Sequence, residues 1–91
     1  SRPMVEAVAE AVTVHLWSGL RRLAGGAEAV TVTAATVGQM YDALIAAHPG
    51  LEPFIKAGVS VVIDGEVTAG GRNLAVKPEN EIYLIQRVKG G

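Results

Sequence analysis

Thr36-Val-Gly-Gln-Met-Tyr-Asp-Ala-Leu-Ile-Ala-Ala-His48 reads as one amphipathic helix. Val37, Met40, Tyr41, Leu44, Ile45 and His48 recur at helical spacing, so one face of about three turns is apolar. Thr36 and Gln39 form a T-x-x-Q capping box, in which the hydroxyl and the side-chain amide satisfy orphan N–H groups at the helix start. Pro49-Gly50 ends the helix. The flanking sequence has a different period. Upstream, Val12-Thr-Val-His-Leu-Trp17 sets Val12, Val14 and Leu16 against Thr13, His15 and Trp17, and Ala29-Val-Thr-Val-Thr33 alternates again. Between these two strands, Leu20-Arg-Arg-Leu23 makes a short turn closed by Gly25-Gly26. Downstream, a loop containing Pro53 and Phe54 leads to a third strand marked by Val59, Val61 and Ile63. Asp64-Gly65 is a hairpin turn, and Glu66-Val67-Thr68 begins the return. Gly70-Gly71 opens a turn segment, Leu74 and Val76 are assigned to the core, and Pro78-Glu-Asn80 turns again. In the last strand, Glu81 to Arg87, Ile82 and Leu84 share one face and Tyr83, Ile85 and Arg87 the other. The order β-β-α-β-β gives an α+β domain, with a single helix covering one face of one sheet.

Composition agrees with one small folded domain. The chain has 91 residues, 49% of them apolar and 19% charged, which is too apolar for intrinsic disorder and too short for a second core. The core must be built from small pieces, because fourteen Ala and thirteen Val stand beside one Trp, one Phe and two Tyr. With no cysteine, the chain has no disulfide framework, thiolate metal site or cysteine nucleophile, and an intracellular, cytoplasmic setting is the expectation. A net charge of −1 offers no electrostatic footprint for nucleic acid or for an anionic membrane. Residues 1–11 are expected to be an extension outside the domain, residues 12–87 the domain, and residues 88–91 a flexible tail ending in Gly-Gly.

No catalytic constellation stands out. His15 falls on a strand and His48 at a helix end, without metal-ligand spacing, so no metal site is expected. Ser18 and Ser60 have no nearby histidine in the sequence. Asp42 lies on the polar side of the helix and Asp64 in a tight turn, both ordinary places for a carboxylate. Arg21 and Arg22 read as a solvated pair. Gly70-Gly-Arg-Asn73 lacks the spacing of a phosphate loop and a following helix. The terminal Gly90-Gly91 is different. Glycine has the highest ordering cost of any residue and adds nothing to a core, yet a chain without Cβ atoms threads a narrow channel and approaches another protein's active site closely. That is the shape of a substrate tail.

Four segments together resemble a known family. Ile82-Tyr-Leu-Ile-Gln-Arg-Val-Lys-Gly-Gly91, Leu16-Trp-Ser-Gly-Leu-Arg-Arg-Leu-Ala-Gly25, the capped Thr36-Val-Gly-Gln39 helix start and Ile63-Asp-Gly-Glu66 look like the ThiS/MoaD sulfur carriers, bacterial relatives of ubiquitin. The resemblance covers Val12 to Gly91. Glu79-Asn-Glu81 departs from the Gly-Asp-Glu usual before the last strand, and the basic tail departs from a Pro-rich one, so the pathway stays open.

The resemblance implies a β-grasp (ubiquitin-like) mixed sheet in which the first and last strands lie parallel and adjacent. It also implies that an E1-like enzyme adenylates the Gly91 carboxylate and that the acid becomes a thiocarboxylate, consumed by a sulfur-accepting biosynthetic enzyme. The chain would then be a carrier and not an enzyme, with ATP used by the activating enzyme and no cofactor of its own. Gly91 is the expected site of activation, Val88, Lys89 and Gly90 its stem, and Trp17, Val67, Tyr83, Ile85 and Arg87 the partner-binding face. Two other readings are a protein modifier conjugated through Gly91 and a β-grasp interaction module whose Gly-Gly is incidental. Strand alternation assigns Val12, Val14, Leu16, Val30, Val32, Val61, Ile82 and Leu84 to the core, facing Val37, Met40, Tyr41, Leu44 and Ile45.

Overall fold

The computed structural model describes residues 8–87. Five strands form one mixed sheet in the order β2-β1-β5-β3-β4: β1 is Glu10–Leu16, β2 Ala29–Ala34, β3 Val59–Ile63, β4 Glu66–Val67 and β5 Ile82–Gln86. The first strand lies antiparallel to β2 and parallel to β5, with Val14 opposite Ile82 and Leu16 opposite Leu84. Ladder pairing starts at Glu10, opposite Ala34, and not at Val12, because backbone pairing continues past the last inward side chain. The expected core residues of the strands are all buried, joined by Val59 of β3.

Three helices pack around this sheet rather than one. The long one, α2 (Val37–Ala47), crosses one face, while α1 (Ser18–Arg21) and α3 (Glu52–Ala57) are short. The third helix replaces the expected loop around Pro53 and Phe54. Leu51 and Ile55, one helical turn apart, are both buried, and the exposed Lys56 and Glu52 pair at 3.1 Å along it. Pro53 is compatible with a first helical turn, where no N–H donor is needed. Leu20 from α1 and Leu51 are fully buried, so the short helices supply core that the thin sheet lacks.

The apolar stripe of α2 is narrower than its spacing suggests. Val37, Met40 and Leu44 are buried, whereas Tyr41 and Ile45 pack at its margins, half-buried. Its cap also differs from the reciprocal form. The Thr36 hydroxyl accepts from the Gln39 N–H at 3.1 Å, but the Gln39 Oε1 accepts from the Ala35 N–H at 2.8 Å instead of that of Thr36. Thr36 is engaged otherwise: it bridges Ala75, with the Val37 N–H donating to Leu74 O and the Val76 N–H to Ala35 O. The segment after β4 thereby closes over the helix start and buries Val76, while Leu74 stays half-buried.

Candidate functional site

The sheet face away from the helices is built by the same alternation that fills the core. Register places His15 opposite Tyr83, Tyr83 opposite Val62 and Val62 opposite Val67, so one row crosses four strands. The rings of His15 and Tyr83 stack with centroids 4.7 Å apart. Next to this row, the Thr13 and Thr31 hydroxyls meet at 3.2 Å across β1 and β2. Tyr83 is 40% exposed and Val67 68%, both large apolar groups left in water. Contiguous apolar surface is a feature of docking faces in general, which makes this row the candidate site.

The five residues expected to face partners do not all meet there. Tyr83 and Val67 lie on the row, and Ile85 stands half-buried opposite Ser60, outside it. Trp17 continues β1 next to Ile85, its N–H donating to Leu84 O at 3.1 Å. Its indole, however, stands over Gly19, occupying the space a Cβ there would need, and packs against the buried cluster. Trp17 therefore covers core as well as presenting surface. Arg87 leaves the face altogether. The ladder ends at Gln86, beyond which alternation no longer dictates direction, and the Arg87 guanidinium lies over Gly58, within 3.0 Å of where a Cβ would stand. There it shares a cleft with Tyr41 and Arg72 on the helical side. Burial raises the Tyr41 phenol above its ordinary pKa, and the nearby Arg87 and Arg72 charges partly offset the rise. His15 and Val62 are the face residues that sequence reasoning did not put forward as contacts. The period of β1 already placed His15 outward, but only pairing of β5 with β3 sets Val62 next to Tyr83.

The hairpin turn is locked to the last strand. Asp64 and Gly65 adopt φ values of 52° and 86°, as a two-residue turn with both central residues left-handed requires. Asp64 Oδ1 accepts from the Glu81 N–H and Oδ2 from the Asn80 side-chain amide, each at 2.8 Å. This carboxylate fixes the entry of β5, the strand that leads to the tail. Val88, Lys89, Gly90 and Gly91 lie outside the described residues. Among the described residues, no three His, Cys, Asp or Glu side chains gather as a metal-binding group, and no helix is long and apolar enough to cross a membrane.

Several solved structures resemble this chain in fold and, in part, in sequence. The structure of SAMP1 from Haloferax volcanii matches with a TM-score of 0.70 and 33% identity, over 90% of this chain and 100% of that one. The Amycolatopsis orientalis BexX/CysO complex contains a chain that matches with a TM-score of 0.70 and 28% identity, over 88% of this chain and 99% of that one. The small archaeal modifier protein 1 of Methanosarcina acetivorans shares the fold, with a TM-score of 0.75 at 21% identity, over 91% of this chain and 98% of that one. No curated protein sequence matches. The sequence profile of the ThiS family covers residues 14–91, from the middle of β1 through both terminal glycines. With its five-stranded β-grasp sheet, this chain belongs to the ThiS family of ubiquitin-like sulfur carriers.

Proposed function

We propose that Gly91 carries sulfur as a C-terminal thiocarboxylate. The observation that carries this reading is the family match running through Gly90-Gly91, on a chain whose central strand β5 leads directly to that tail. An E1-like enzyme would join the Gly91 carboxylate to AMP from ATP, releasing pyrophosphate. Hydrosulfide would then attack the acyl carbon and expel AMP, leaving a thioacid whose sulfur is a far better nucleophile than a carboxylate oxygen. The carrier contributes delivery, and its partners contribute catalysis. Tyr83 and Val67 on the open face, with Ile85 and Trp17 at its margin, dock on those partners, and Lys89 helps steer the tail into an acidic channel.

ATP–pyrophosphate exchange with the cognate activating enzyme tests the reading. Deleting Gly91, or replacing Gly90 with a bulky residue, abolishes exchange and leaves thermal unfolding unchanged; undiminished exchange by the truncated chain would falsify it. Mass spectrometry of the activated protein shows one oxygen replaced by sulfur. A second reading has a specific support, since a 33% identical structure is that of an archaeal protein called SAMP1. In it, Gly91 forms an isopeptide bond with a lysine amine, and conjugates in cells rather than free thioacid are the product.

A further inference from the structure

The helical side of the sheet carries a concavity of about 560 Å³ beside β3, between α2 and the end of α3. Among the described residues its charged side chains are Lys56, Arg72 and Arg87, and no carboxylate lines it, on a chain whose net charge is −1. Lys56 and Arg72 lean on Glu52 and Asp42 outside the cleft, in exposed pairs of 3.1 and 3.0 Å that hold their partners weakly. Arg87 forms no ion pair among the described residues. Its guanidinium lies over Gly58.

The floor of the cleft is a strand edge. Along its other side β3 is paired from Val59 to Ile63 with β5, but β4 covers only Val62 and Ile63. Beyond β4, the Thr68 N–H and hydroxyl both donate to Val61 O, at 2.9 and 3.0 Å. Period-two alternation turns the amide groups of Val59 to that same side. Among the described residues no strand residue faces them there, and Val59, only 8% exposed, lines the cleft. A backbone amide without a protein partner seeks one, and at an open strand edge an incoming strand can supply it.

We propose that this cleft captures an extended acidic segment of a partner protein. The segment adds to β3 alongside Val59, and its carboxylates meet Arg87, Arg72 and Lys56. Main-chain bonds supply the anchoring, and the three cations select the sign of the side chains. The proposal goes beyond sulfur transfer, because it requires neither Gly91 nor its activation. It adds a second contact just ahead of the tail.

The test uses the full chain, isotopically labelled for NMR and titrated with a capped hexapeptide of alternating glutamate and valine. Binding shifts the amides of Val59 and Val61 and slows hydrogen exchange at Val59. Methylating alternate peptide nitrogens in one phase blocks binding, and in the other phase leaves it intact, because only one edge of the peptide faces β3. Arg87→Ala weakens binding about tenfold, the loss expected for one charge-assisted hydrogen bond. A lysine–valine hexapeptide does not bind. Shifts confined to the open face, indifference to both methylation patterns, or inorganic phosphate displacing the peptide and shifting the same amides equally would each overturn the proposal. None of these outcomes bears on pyrophosphate exchange at Gly91.

Discussion

Leu44 is fully buried at the middle of α2, facing the sheet. Truncating it removes apolar contacts and leaves a cavity that a core of small residues fills poorly, so Leu44→Ala costs about 2–5 kcal/mol in denaturant unfolding. Tyr41, one residue beyond Met40, tells a different story. Its phenol is half-buried, and burial raises its pKa above the ordinary 10.0 despite Arg87 and Arg72. Below that value the folded and unfolded chains both keep the proton. As pH rises past it, the unfolded chain ionises first, so stability falls until the folded phenol also ionises at its raised pKa. Tyr41→Phe removes this loss. In thermal unfolding across that window, the variant's melting temperature declines less steeply with pH than the native chain's, and parallel declines would show that Tyr41 does not contribute.

The N-terminus of α2 is held by both a side chain and a neighbouring segment. Thr36 supplies one acceptor to the Gln39 N–H, and the Leu74 carbonyl supplies another to Val37. Thr36→Ala therefore removes one of two satisfied donors and costs about 1 kcal/mol, read as a shift in the urea midpoint at unchanged m-value. A loss well above that would mean that the bridge to Ala75 opens with the cap. This helix was legible from its cap and its spacing because both are local. The third helix was not, since Pro53 and the glycine after Pro49 read as punctuation, and only the burial of Leu51 and Ile55 against the sheet makes a short helix worth forming there. Isolated helices of that length do not hold in water.

The domain presents two surfaces of opposite character on either side of one sheet. The open face carries Tyr83 and Val67 exposed, and the helical side carries a cationic cleft. Tyr83→Ala or Val67→Ala should weaken binding to the activating enzyme by about 1–3 kcal/mol with little change in unfolding. Trp17→Ala should lower stability as well, because its ring packs on the core over Gly19. Titration calorimetry beside thermal unfolding separates the two behaviours. Full binding by the Tyr83 and Val67 variants would remove the open face from the docking surface.

Alternation determined which side chains of β1, β2 and β5 turn inward, and helical spacing the centre of the inward stripe of α2, because each is a property of consecutive residues. Val12, Val14, Leu16, Ile82, Leu84 and Leu44 needed no knowledge of neighbours to be placed in the core. The family resemblance was likewise legible, since the four segments that carry it are each read from their own residues. Tertiary structure alone decided which strands touch. Setting β5 between β1 and β3 brings His15, Tyr83, Val62 and Val67 into one row, although they are separated widely in the chain. It also decided where Arg87 goes, because a side chain past the end of a ladder follows the space its neighbours leave, and Gly58 leaves it beside Tyr41.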